Sequence, residues 1–495
     1  MPRTRLSAAR QYASRLLVSA LLLPLLPAAP AAFAAPAQVA AEMPADAGAQ
    51  ARALFERDWQ WRLKHQPEFA TAVGDHRYDA QLADSSLAGA LKAIAHARRM
   101  LELARQIDPA QLSAQDRLSW DLLVADQERR LAVSNFVPFD PQPISSQDGL
   151  QFRFPRLIAQ MPFVTEADYR NYLARLQALP RHIDGIAEQL REGMRTGWVA
   201  PKRIMAGVPD QLRAMREHLA DGAVSAPLRR LPATIPEDVR AQLAREGAAA
   251  VQALAPALQK LEDLIRTEYL PAARATLAAS NLPGGPPWYA LLVKNATTGA
   301  SSPAEIHALG LKEVARIRAE MAPVVKRTGF RGTLPQFFVF ARSDPRLFAG
   351  DADALLSRYR RTLARIYAQL LLLFANIPSD ELAVKPLLDA QVDQSGQGGA
   401  AYEAGSASRV AALVVNTAHL ETHPLWEVET LALHEGVPGH HLQVARAQAI
   451  ADLPAFRRNA WYPAYGEGWA LYAEGLGPEL GLMRDPFSDF GRLAD

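Results

Sequence analysis

The sequence predicts a large, mostly α-helical protein with a small β-sheet beside a metal-binding helix. Three observations carry that reading. Apolar residues recur at helical spacing through most of the 495 residues. Short β-branched runs are scarce, and the clearest precedes a histidine-rich stretch. That stretch, Leu431-Ala432-Leu433-His434-Glu435-Gly436-Val437-Pro438-Gly439-His440-His441-Leu442-Gln443, holds three histidines and a glutamate within eight residues.

The first 34 residues stand apart. Arg3, Arg5, Arg10 and Arg15 precede an apolar core, Leu16 to Leu26, and Ala32-Phe33-Ala34 offers small residues for cleavage. This is the pattern of a secretory signal peptide cut after Ala34, so the mature chain is expected in the periplasm or outside the cell. The apolar core is short for a spanning helix, and no cysteine is present to carry a lipid. Losing four arginines, with no Asp, Glu or Lys beside them, takes the formal charge from +2 to −2. A near-neutral body gives no electrostatic case for nucleic acid or anionic lipid. With no cysteine, disulfides are excluded and any metal site must use histidines and carboxylates. The sequence does not determine an oligomeric state.

Residues 35–50, rich in Ala and Pro, read as a flexible leader. A helical lobe is expected over 51–290. Its helices fall near 51–72 (interrupted at Pro67), 87–107, 113–133, 166–196, 211–220 and 236–280, with a Pro-rich loop at 138–143. Pro283-Gly284-Gly285-Pro286-Pro287 reads as a break. The catalytic region is expected over 291–495. Ser302-Pro303-Ala304-Glu305 opens a helix to about Arg327, with Ser as N-cap, Pro in the first turn and Glu completing a capping box. Another helix spans 352–374.

The strand signal is Arg409 to Thr417, preceded by a Gly-rich loop, with Gln391-Val392 as a possible partner. An exposed edge here, at Val415 and Asn416, would pair with an extended peptide.

Hydrolytic zinc sites use three protein ligands and one open position. In His-Glu-x-x-His, histidines four apart share a helix face and the Glu reaches the attacking water. Here the position four after His434 is Pro438. His434 and His440 lie about 240° apart on a straight helix, and His441 sits about 10 Å further along the axis than His434. Zinc–nitrogen bonds are only about 2.0–2.1 Å. The Pro438-Gly439 step must therefore break the helix for either histidine to join His434.

With the later segment Glu467-Gly468-Trp469-Ala470-Leu471-Tyr472-Ala473-Glu474, the histidine motif resembles the bacterial family catalogued as domain of unknown function 885. Thr297-Thr298 with Pro303 to Met321, Asp344-Pro345 and Val415-Asn416-Thr417 also match. That family is similar in outline to helical zinc peptidases such as angiotensin-converting enzyme and the thimet oligopeptidases. The resemblance implies a two-lobed helical body with a deep cleft, and zinc-dependent hydrolysis of peptide bonds in short peptides. It implies His434, His440 and Glu467 as zinc ligands, with His441 in reserve for His440. Glu435 would be the general base, and Glu474 would orient a ligand histidine. Trp469 and Tyr472 read as core, and His419 and His423 as exposed loop residues. The resemblance also implies further helices beyond Asp495, with late Tyr residues that would stabilise the oxyanion. Two other readings share these residues: a catalytically silent periplasmic peptide-binding protein, and a zinc hydrolase of a non-peptide amide or ester.

Overall fold

The computed structural model describes residues 46–377, 382–387, 399–406 and 409–495. The signal segment, most of the leader and Gln391-Val392 lie outside them. Helix α1 (Ala47–His65) begins four residues before its expected start, because Asp46 caps it by accepting the Ala49 N–H at 2.8 Å. Residues 47–50 are thus helix rather than leader. Helices α2 (Leu87–Ala104) and α3 (Ala114–Ser134), capped by Ser86 and Ser113, pack with α1 around Leu54, Phe55, Leu63, Met100 and Leu123. Phe456, far along the chain, completes this core.

Helix α4 (Glu166–Thr196) opens with a capping box from Thr165 and Asp168 and lies along α5 (Glu237–Leu264). Leu176, Leu179, Leu254 and Leu258 form the seam. The long helix expected to reach 280 stops earlier. A π-helical turn, Ile265–Tyr269, leads to a last short turn, Leu270–Ala272, where Pro271 has no N–H to continue it. The helix expected at 211–220 runs Val208–Glu217, since Pro209 suits a first turn. The expected break at 283–287 instead starts a helix, Gly285–Thr297, for the same reason, and that helix runs through position 290. Helix α6 (Pro303–Arg327) has its expected bounds and box: the Ser302 hydroxyl accepts the Glu305 N–H, and the Glu305 carboxylate accepts the Ser302 N–H at 2.7 Å. Helix α7 (Ala352–Leu370) ends four residues short of the expected 374.

Three strands form one sheet, β1 (Leu382–Pro386), β2 (Ala400–Glu403) and β3 (Ala411–Val415), in the order β1-β3-β2. β3 is the strand read from the sequence, but it lies in the middle, parallel to β1 and antiparallel to β2. Both its edges are used, so it cannot pair with a peptide. Val415 has no exposed surface, and the Asn416 N–H is taken by the Gly399 carbonyl. Neither residue offers the substrate contact expected of it.

Tyr359, Leu363 and Ile366 of α7 pack on Leu413, Val415, Leu433 and Val437. Each such full burial is worth roughly 1.5–3 kcal/mol. One core therefore supports both the sheet and the histidine-rich segment. The described residues form one unit. Among the described residues, no helix is long and apolar enough to cross a membrane.

Candidate metal centre

The histidine segment is a broken helix. A short α-helix, Val428–Leu431, widens into a π-helical turn, Ala432–Gly436. The chain then leaves helical geometry at Val437, passes a cis Val437–Pro438 peptide, and restarts as α8 (His440–Ala449). The Gly439 N–H donates to the Leu433 carbonyl at 2.9 Å, which folds the connection back on the turn it left. Only glycine fits there: a Cβ on residue 439 would lie 1.9 Å from the His434 carbonyl oxygen and 2.3 Å from that of Leu433. The Trp469 indole N–H donates to the Pro438 carbonyl at 2.7 Å. That bond fixes the loop to α9 (Pro463–Gly475), the helix carrying Glu467 and Glu474.

The break closes the separation that a straight helix would leave between His434 and His440. Their rings lie 4.8 Å apart, nearly perpendicular. Ligand atoms of His434, His440 and Glu467 all fall within 4.8 Å of one another. Nε2 of His434 and Nε2 of His440 are each 3.5 Å from the same Glu467 oxygen, Oε2. That is long for a hydrogen bond. It is close to the ~3.4 Å edge of a tetrahedron whose ligands lie ~2.0–2.1 Å from a central zinc ion. The donor set, two imidazoles and a carboxylate, is also one that zinc takes.

Glu467 and Glu474 are seven residues apart, so they share a face of α9. His434 sits between them. Glu474, only 4% exposed, accepts from Nδ1 of His434 at 2.7 Å, which puts the imidazole proton on Nδ1 and frees the Nε2 lone pair towards Glu467. Burial raises the Glu474 carboxyl above its ordinary pKa, against the bond from His434. For His434 burial is the largest influence and favours the neutral ring, but Glu474, Glu435 and Glu467 together outweigh it and raise its pKa. His440 is moved the other way, by burial and by the neighbouring His434.

Glu435 is held by the sheet. The backbone N–H of Tyr402 in β2 donates to Oε2 of Glu435 at 2.9 Å. Burial pushes the Glu435 carboxyl up to about 7, although His434 and the Tyr402 bond pull it down. His441 is not part of the group. It lies one position on in α8, about 100° around the helix, buried with its ring 5.8 Å from that of Tyr402.

The structure thus brings together His434, His440, Glu467, Glu435 and Glu474, and leaves out His441, Val415 and Asn416. His419 is exposed as expected, but His423 is buried. Trp469 is half-buried, whereas Tyr472 is 58% exposed and not core. Sequence reasoning missed Tyr402 and Trp461, whose ring meets that of His440 at 5.3 Å. Tyr402 follows two alanines in a strand with little β-propensity, so nothing local marks it. A cavity of about 1250 Å³ adjoins the group through Tyr402, Trp461 and Trp469. Phe69, Leu118 and Leu122, from the N-terminal helices, also line it.

Residues 67–495 match the family model described as "Bacterial protein of unknown function (DUF885)". The chain belongs to that family. No curated protein matches it. Among solved structures it is similar to the crystal structure of "the putative lipoprotein from Colwellia psychrerythraea", with a TM-score of 0.81 and 24% identity, over 90% of this chain and 81% of that one. That likeness is one of fold.

Proposed function

We propose that this protein is a zinc-dependent peptidase that hydrolyses short peptides after export to the periplasm or outside the cell. The observation that carries the reading is the convergence of His434, His440 and Glu467, with both Nε2 atoms 3.5 Å from one carboxylate oxygen and Glu435 beside them. His434, His440 and Glu467 would hold the ion. Zinc bound there would supply a Lewis acid that polarises the scissile carbonyl and makes water a nucleophile near neutral pH.

The chain's own residues divide the remaining work. Glu435 takes a proton from the attacking water and passes it to the leaving amine. Its Oε2 is occupied by the Tyr402 N–H, so Oε1 is the oxygen left for that proton. Burial raises the Glu435 carboxyl above the ordinary carboxylate range, the direction that suits a group that both takes and returns a proton. Glu474 keeps His434 in one tautomer and orientation. The Tyr402 N–H points away from β3, so it is the outer edge of β2, not β3, that faces the centre and suits an extended substrate. The cavity beside Trp461 and Trp469 would serve as the cleft between an N-terminal helical lobe and the catalytic region. Similarity of the motif to helical zinc peptidases supports the same reading, and the Arg-flanked apolar leader supports export.

The test is hydrolysis of a panel of short fluorogenic peptides by the zinc-loaded chain, with Glu435→Gln as the paired variant. Turnover in the parent chain that is lost in the variant is the expected result. Unchanged turnover in the variant would remove Glu435 from the mechanism. Peptide binding without turnover in either protein would replace the peptidase by a silent binding protein.

A further inference from the structure

The cavity beside the centre is strongly cationic in a way the peptidase reading does not require. Among the described residues, Arg156, Arg409, Arg446, Arg457 and Arg458 line it, with Glu403 as the acidic residue. The whole chain is nearly balanced, with a formal charge of +2, so this is a local concentration. Elsewhere arginines commonly meet carboxylates, as Arg213 and Arg216 meet Glu262, or Arg316 meets Glu313 and Glu320. Among the described residues, none of the five cavity arginines does.

Among the described residues their hydrogen bonds go to neutral groups, and Arg156 also lies in the field of Asp148. Arg409 donates to the carbonyls of Ala72 and Ala404. Arg457 donates to the Gln115 side chain at 2.9 Å and the Ser119 hydroxyl at 3.1 Å. The Arg458 Nε is buried with no hydrogen-bond partner. Such contacts position a guanidinium without neutralising it. A cluster of cations that outnumber the described acids inside a concave, partly apolar wall focuses field on whatever enters. Guanidinium forks match carboxylates in a bidentate geometry. Trp461, with half its surface exposed, and Trp469 add flat apolar surface between the arginines and His440.

We propose that this cavity binds the carboxylate groups of an acidic peptide, making it a specificity site for anionic peptides beside the metal centre. The proposal rests on the peptidase reading for the occupant being a peptide, and on the arginines for its charge. The carboxylates come from Asp or Glu side chains or from the peptide's own C-terminus.

Binding separates the proposal from turnover. Equal-length fluorescent peptides rich in Glu, in Lys or in Ala, each as free acid and as C-terminal amide, are titrated into the full chain carrying Glu435→Gln. The Glu-rich peptide is expected to bind at least about tenfold tighter than the Lys-rich one, the scale of one charge-assisted hydrogen bond. That margin should shrink with salt. It should also shrink in Arg446→Gln and Arg156→Gln, both exposed side chains whose replacement leaves packing intact. Retention by the Glu-rich amide assigns the effect to side chains; loss on amidation assigns it to the terminal carboxylate. Equal binding of acidic and basic peptides, no binding of acidic ones, or a margin unmoved by both substitutions would overturn the proposal. Acidic peptides that bind tightly yet are not cleaved by the zinc-loaded parent chain would leave the cavity assignment standing and remove the peptidase reading.

Discussion

At the scale of single residues, the two glutamates of α9 do different things to one imidazole. Glu474 holds Nδ1 of His434 and Glu467 faces its Nε2. Glu474→Gln keeps the side chain's size but removes the charge that fixes the tautomer. We expect zinc affinity to fall about 10–100-fold, as for other partners of ligand histidines, measured by competition with a chromogenic chelator. An unchanged affinity would reduce Glu474 to packing. Glu435→Gln should keep zinc and lower kcat by about 10²–10⁴, the usual range for a lost general base. The seven-residue spacing of these glutamates was legible in the sequence, because spacing on a regular helix gives a shared face. The choice between His440 and His441 was not, because it depends on where a broken helix restarts.

At the scale of elements, the break between the 432–436 turn and α8 is held by Gly439 and by the Trp469 bond to Pro438. Gly439→Ala would place a methyl against two carbonyl oxygens. The expected outcome is loss of zinc together with a lower Tm, read by elemental analysis and thermal unfolding. Gly468→Ala is the matched control: a Cβ there meets nothing within 4 Å, and the better helix former should add about 0.5–1 kcal/mol while zinc is kept. If Gly439→Ala keeps a full complement of zinc, the loop does not position His440. That a break was needed could be read from Pro438 and the spacing of the histidines. Its form could not, since the N–H from Gly439 to Leu433 and the indole from α9 are contacts across a fold. The sheet divides in the same way. β3 is plain in the sequence, but Leu382–Pro386 and Ala400–Glu403 contain one β-branched residue between them, so its place in the middle was hidden.

For the whole molecule, the centre imposes a pH dependence on stability. Glu435 and Glu427 are both raised to about 7, chiefly by burial, from an ordinary value of 4.5. An acid raised on folding stabilises the fold fully below its unfolded pKa and loses that contribution as pH rises through its folded pKa. The metal-free chain should therefore lose stability between pH about 4.5 and 7, by roughly 1–3 kcal/mol for Glu435 after allowing for residual solvent. Urea unfolding across that range should show a shallower decline in Glu435→Gln, and parallel curves would contradict the assignment. The wider architecture was partly legible: helix content, capping and the 303–327 helix followed from local patterns. The way Phe456 completes the N-terminal core, and Arg457 reaches Gln115 and Ser119, links segments more than 300 residues apart and leaves no local trace.

Metal stoichiometry by elemental mass spectrometry tests the central claim most directly, on the parent chain and on His434→Ala, His440→Ala, His441→Ala and Glu467→Gln. The expected result is about one zinc per chain, lost in the first, second and fourth variants and kept in His441→Ala, the histidine outside the converging group. No zinc in the parent chain after reconstitution, or zinc lost in His441→Ala and kept in His440→Ala, would contradict it.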